Sequence, residues 1–212
     1  MIGYPITLVG LQDARCVVIG GGDVAARKVA ALCQSGARPV VISPVLTETL
    51  RRQAERGEIE VIERRYRPGD LSGAWLVIAA TDDTATNEAV WREGQAAGCL
   101  VNVVDDPPRC NFYVPATVRR GDLALTVSTG GQSPALARRI RQELEQQVDT
   151  TYGPYLELLG RVRTMIQERV QDPALRRALW ESLLDSDILE LLRAGDSEQA
   201  RQRAEEIISA SQ

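Results

Sequence analysis

The stretch Arg15-Cys16-Val17-Val18-Ile19-Gly20-Gly21-Gly22-Asp23-Val24-Ala25-Ala26-Arg27-Lys28 decides the fold. An apolar run rich in β-branched residues, 15–19, ends at three glycines. Behind them Val24, Ala25, Val29, Ala30 and Leu32 recur at helical spacing as far as Cys33, and Gly36 stops the helix. The order is strand, glycine turn, helix. Within it, Gly20-x-Gly22-x-x-Ala25 gives each small residue a task. Gly20 permits the tight turn, Gly22 lets the backbone approach a pyrophosphate, and Ala25 lets the helix pack on the strand. The helix N-terminus adds free N–H groups and the positive end of a dipole. The bland alternative is a strand-to-helix turn that holds nothing.

Outward from this turn the same rhythm continues. Pro39–Ser43, Ile59–Ile62, Trp75–Ala80 and Cys99–Val104 read as further strands. A helix over Thr47–Arg56, with Thr47 as N-cap and Gly57 as stop, and another over Asp83–Ala97 lie between them. Near-continuous apolar strands alternating with helices describe a parallel sheet covered on both faces. The expected class is α/β, a Rossmann-like doubly wound parallel sheet over 1–113. Beyond Pro107-Pro108 the rhythm changes. Asn111–Pro115 and Asp122–Ser128 read as two strands around a turn at Arg119-Arg120-Gly121-Asp122. Ser133-Pro134 then opens a charged helix running to about Val148. This β/α segment, 114–149, is expected to serve dimerisation, because two strands and one helix cannot form a core alone. From 150 to 212 only helical patterns appear, at Pro154–Val170, Pro173–Leu184, Asp187–Ala194 and Ser197–Ser209. They are expected to form a C-terminal helical bundle.

Composition narrows the chemistry. The 212 residues include no histidine, which excludes Ser-His-Asp and Cys-His catalysis and His-ligated zinc. Lys28 is the only lysine, so Schiff-base chemistry is not expected. The other cations are arginines, suited to forked binding of carboxylates. A net charge of −4 is not the basic surplus of a nucleic-acid binder. Cys16, Cys33, Cys99 and Cys110 form no C-x-x-C pair and read as reduced thiols, with no metal site expected. No run reaches the length of a membrane span, and Met1-Ile2-Gly3-Tyr4-Pro5 carries no signal pattern, so a cytoplasmic address is expected.

Ligands of an open parallel sheet bind beyond the carboxyl ends of its strands. Three groups stand there. After the second strand, where an acid usually holds the ribose 2′-hydroxyl, the chain has Ser43 followed by Pro44, which leaves NAD against NADP open. Arg38 lies at the wrong end of that strand to hold a phosphate. Thr81-Asp82-Asp83 follows the fourth strand, and Asp83 is equally suited to cap the helix behind it. Asp105-Asp106 follows the fifth. With no histidine, Asp105 is the best-placed base, and Asp82 and Asp106 are its rivals.

These motifs, Cys16–Lys28, Ala79–Asp83 with Asn87, Asn102–Asp105, and Ser128–Gly131 with Ser133-Pro134 and Ala137-Arg138, resemble in order and spacing the N-terminal module of siroheme synthase. The likeness is specific over about 1–145, while the helical tail carries no sharp motif. It implies NAD-dependent oxidation of precorrin-2 to sirohydrochlorin, and in bifunctional members Fe²⁺ insertion into the product. It implies a homodimer and, since 212 residues leave no room for a methyltransferase domain, a free-standing form. It maps the important aspartate onto Asp105. It maps NAD contacts onto Asp23, Val24, Pro44, Val45 and Thr81, beside Gly20, Gly22, Ala25 and Ser43 from the residue reading. An eight-carboxylate substrate calls for arginines, for which Arg109, Arg119, Arg120, Arg138 and Arg139 are candidates. Two other readings remain at this stage: a dehydrogenase of another small substrate, and a non-catalytic NAD-sensing module.

Overall fold

The computed structural model describes residues 3–209. The outermost positions of the expected first and last domains, 1–2 and 210–212, lie outside the described residues. The chain divides into two compact units, one up to Val114 and one from Pro115.

In the first unit β1 (Cys16–Ile19), β2 (Val40–Ile42), β3 (Glu60–Ile62), β4 (Leu76–Ala79) and β5 (Leu100–Val103) form one parallel sheet in the order β3-β2-β1-β4-β5. Val18 stands opposite Val41 on one side and Ile78 on the other. The two-residue period of each strand sends alternate side chains to opposite faces. Val18, Val41 and Ile78 pack with Ala25 and Val29 of α1 (Asp23–Gln34) and Leu50 of α2 (Glu48–Glu55). Val17, Ile19, Val77 and Ala79 pack with Leu71 and with Val90 of α3 (Thr84–Ala96). Both faces are covered, which is why these strands read as unbroken apolar runs.

The connection from β3 to β4 contains no helix. Arg64 instead grips Asp70 with two bonds of 2.7 Å, and Asp70 also accepts the Arg67 N–H. Glu93 of α3 accepts from the Tyr66 hydroxyl and from the N–H groups of Gly69 and Leu71. These bonds hold the loop down over the buried Leu71.

The second unit starts with the antiparallel hairpin β6 (Ala116–Arg120) and β7 (Leu123–Val127). The helix α4 (Pro134–Gln147) packs on both strands. Its start is capped as its sequence requires: Ser133 Oγ accepts from the Leu136 N–H and Pro134 takes the first position. Then α5 (Tyr152–Arg169), α6 (Pro173–Leu184), α7 (Ile188–Arg193) and α8 (Ser197–Ser209) close on Val162, Ile166, Leu179, Leu183, Ile188, Ala204 and Ile208. The hairpin and the helices belong to one unit. Arg120 donates to the Val148 carbonyl, and Gly121 at the hairpin turn lies against Gly153 of α5. No helix of the described residues is long and apolar enough to cross a membrane.

Two local expectations are corrected. The strand expected at Asn111–Pro115 is not formed, and β6 begins at Ala116. Asn111 is occupied with the edge of β5: its amide accepts from the Val101 N–H and donates to the Cys99 carbonyl, and its own N–H bonds Val101 O. Pro115 has no N–H to give a ladder. The turn expected at Arg119-Arg120-Gly121-Asp122 narrows to Gly121 and Asp122, because Arg119 and Arg120 pair with Ala124 and Leu123 in the hairpin.

Candidate cofactor cleft and its acidic rim

The glycine turn leaves β1 at Gly20, whose φ of 118° is closed to residues with a side chain. A Cβ there would sit 2.2 Å from the Ala80 carbonyl oxygen. At Gly21, which the sequence reading left without a role, a Cβ would come within 2.0 Å of Val45 O. Gly22 differs: it is the N-cap of α1, and a Cβ there would meet nothing within 4 Å. The first N–H groups of α1 have no intrahelical partner, and no side chain caps them. Asp23 and Gly22 are exposed, Val24 is half-buried and Ala25 is fully buried against the sheet. The chain therefore builds a close-packed turn with one open face, at the positive end of a helix.

A cleft of about 430 Å³ lies beyond the carboxyl ends of β1, β2 and β4. Gly20, Ser43, Pro44, Arg65, Tyr66 and Thr81 are among its lining residues. Ser43 is only 6% exposed. Its hydroxyl donates to the Val45 carbonyl at 2.7 Å, so it is engaged in shaping the loop. Val45 itself is 70% exposed, an apolar side chain standing in the open. Thr81 Oγ1 accepts from the Asp83 N–H, and its carbonyl accepts from Asn87 Nδ2. Asp83 is the N-cap of α3, accepting from Ala85 N–H and the Thr86 hydroxyl. The Thr86 bond is the chief reason its carboxyl is held below the usual range.

The four acids at this edge have different duties. Asp83 is engaged in the cap. Asp106 pairs with Arg109 at 2.6 Å, and Arg109 also grips Glu88. Asp82 and Asp105 are exposed and make no side-chain hydrogen bond within the described residues. Asp105 is set apart by its backbone. With φ 59°, it is the one non-glycine among the described residues in the left-handed region, inside a turn closed by Asp106 N–H to Val103 O. Lys28 of α1 lies near it. Burial holds the Lys28 ammonium below its usual range, Arg27 adds to this, and the charge of Asp105 opposes it.

The arginines divide too. Arg109 is taken by its two acids, Arg120 by the Val148 and Glu145 carbonyls, and Arg139 by Glu143. Arg119 and Arg138 are exposed with side chains free of hydrogen bonds and ion pairs among the described residues. A larger cavity, about 740 Å³, lies among α5, α7 and α8, but its rim charges Glu198 and Arg201 pair with each other at 2.6 Å. No group of three or more His, Cys, Asp or Glu able to hold a metal occurs among the described residues.

Residues 7–116 match the family model described as putative NAD(P)-binding. Residues 120–147 match that of the sirohaem biosynthesis protein central region, and 151–208 that of the sirohaem synthase dimerisation region. The chain belongs to the putative NAD(P)-binding family, whose model spans more than half of it. Family relatives include the siroheme synthases of Methylobacillus flagellatus, 40% identical over 94% of this chain and 43% of that protein, and Nitrosococcus oceani, 41% identical over 92% and 42%. The chain thus spans less than half the length of the curated relatives it matches. A solved structure of SirC, a precorrin-2 dehydrogenase, superposes with a TM-score of 0.79 at 26% identity, covering 96% of this chain and all of that one. The family name "dimerisation region" falls on 151–208, whereas the sequence reading put pairing on 114–149.

Proposed function

We propose that the chain oxidises precorrin-2 to sirohydrochlorin with NAD as hydride acceptor, as a homodimer. The observation that carries the reading is the likeness to a precorrin-2 dehydrogenase over nearly the whole of both chains. The residues fit the cofactor. The open face at Gly22 and the unpaired N–H groups of α1 would receive the pyrophosphate, with Asp23, Val24 and Ala25 contributing backbone. Gly20 would let it lie close to the sheet. The cleft beside Ser43, Pro44, Val45 and Thr81 would take the adenosine end.

The chemistry NAD supplies when bound is acceptance of one hydride. Loss of two hydrogens from the substrate leaves one proton to be removed. Asp105 is the carboxylate we assign to it, as proton acceptor or orienting group. It is exposed at the strand ends; of its rivals, Asp106 is already paired with Arg109, while Asp82 is as free as Asp105 and is told apart from it by substitution. In a Fe²⁺ insertion the same carboxylate would accept pyrrole protons. Among the arginines considered for substrate carboxylates, Arg119 and Arg138 have guanidiniums without a hydrogen-bond or ion-pair partner among the described residues.

The test is incubation of the chain with precorrin-2 and NAD⁺, followed by visible spectra and then by addition of Fe²⁺. Conversion to the sirohydrochlorin spectrum with NADH formed in equal amount is expected. NAD⁺ binding without any spectral change would remove precorrin-2 as substrate. A further change on adding Fe²⁺, faster than without protein, would add the metal insertion.

A further inference from the structure

The corner of the cleft beyond β2 carries no acid. Dinucleotide sites that select NAD place a carboxylate there, which bonds the ribose 2′-hydroxyl and repels a 2′-phosphate. Here the residue is Ser43, buried, with its hydroxyl donated to Val45 O. Pro44 beside it has no N–H. Arg65, three residues past β3, lines the same cleft. It is exposed, and its guanidinium makes no hydrogen bond or close ion pair among the described residues, although most charges around it do. Arg64 holds Asp70, and Glu63 lies 3.9 Å from Arg51. The acid that shares the cleft with Arg65 is Asp83, and its carboxylate faces the N-terminus of its own helix. The local balance is a guanidinium without a hydrogen-bond partner among the described residues; Asp83 feels its charge across the cleft but is bonded to its own helix start.

We propose that this cleft accepts NADP as well as NAD, and that Arg65 is the specificity-determining residue that receives the 2′-phosphate. The inference rests on the cofactor reading above. A guanidinium fork fits phosphate oxygens with two parallel bonds, and such charge-assisted bonds are the strong ones. The neighbouring bonds keep Arg65 at the rim: Tyr66 next to it is tied to Glu93, and Arg64 before it to Asp70.

The experiment reads binding and needs no turnover. The full chain is titrated by calorimetry with adenosine 5′-monophosphate, adenosine 2′,5′-bisphosphate, NAD⁺ and NADP⁺. The bisphosphate is expected to bind on the order of ten-fold tighter than the monophosphate at low salt, with the ratio shrinking as salt rises. NADP⁺ is expected to bind no more weakly than NAD⁺. Arg65→Gln should bring the bisphosphate-to-monophosphate ratio close to one, and Arg65→Lys should restore part of it. Equal affinities of the two nucleotides in the unmodified chain would overturn the proposal, as would a ratio that survives Arg65→Gln. NAD⁺ binding with NADP⁺ excluded defeats this proposal alone. Failure of all four ligands to bind defeats the cofactor reading with it.

Discussion

Asp105 holds two properties that rarely coincide at an exposed position. It is a free carboxylate at the rim of the sheet, and its backbone sits at positive φ, where glycine is at ease. Aspartate tolerates this region better than most residues, but at a cost. Asp105→Gly is therefore expected to raise stability by about 0.5–1 kcal/mol, read as a higher unfolding midpoint, while turnover falls. Asp105→Asn keeps the shape and is expected to lower turnover by about 10²–10⁴-fold, with NAD affinity near that of the parent chain. Normal turnover in Asp105→Asn together with a loss in Asp82→Asn would transfer the role to Asp82. Gly22→Asp supplies the complementary prediction. Its φ of −81° and the open space around it allow the variant to fold, yet the added anion lies where a pyrophosphate would come. Abolished NAD binding with an unchanged thermal midpoint is expected. The glycine spacing and the position of Asp105 were both legible in the chain. The engaged hydroxyl of Ser43 was not, because its partner geometry depends on how Val45 folds back beneath Gly21.

The element that no periodicity announces is the β3-to-β4 connection. In the sequence, Arg64, Arg65, Arg67 and Asp70 look like a solvated loop. In the fold, Asp70 is a partly buried hub, and its carboxyl is held below the usual range chiefly by the bonds from Arg64. A carboxyl whose pKa is lowered by folding adds stability above its unfolded value of about 3.9, and that contribution is lost as pH falls through the folded value. Asp70→Asn is expected to lower unfolding free energy by about 1–3 kcal/mol at neutral pH. The gap between variant and parent should close as pH drops below about 4. Denaturant titrations at pH 7 and in acid read both. A gap that persists unchanged into acid would show that Asp70 acts through shape and not charge. The helices, by contrast, were readable because their signals are local: Thr47, Asp83 and Ser133 each bond an N–H two or three residues ahead.

For the molecule as a whole, the expected state is a homodimer, and static light scattering at micromolar concentration should return twice the chain mass. The second unit ends its hairpin in two strand edges that pair with nothing among the described residues, and α4 holds Leu136 49% exposed. Leu136→Arg is expected to weaken the dimer. Leu184→Arg on α6, where the side chain is 58% exposed, tests the other location, within 151–208. Dissociation by the second change alone would move the interface onto the helices.

The alternation of strand and helix, the glycine turn, the helix caps and the acidic edge of the sheet can all be read along the chain. Each is encoded by residues within one or two turns of chain, so spacing alone reports it. Which polar groups remain free to meet a ligand depends on contacts between distant parts of the chain. Arg109 and Arg65 are equivalent as letters, yet Glu88 and Asp106 occupy the first and no acid pairs with the second. Asn111 leaves its expected strand because Val101 and Cys99, ten and twelve residues back, present an open edge to its amide. Glu93 reaches back across more than twenty residues to hold the loop that carries Arg65. A buried or edge polar group takes the partner that folding brings beside it, and that neighbour is not written in local spacing.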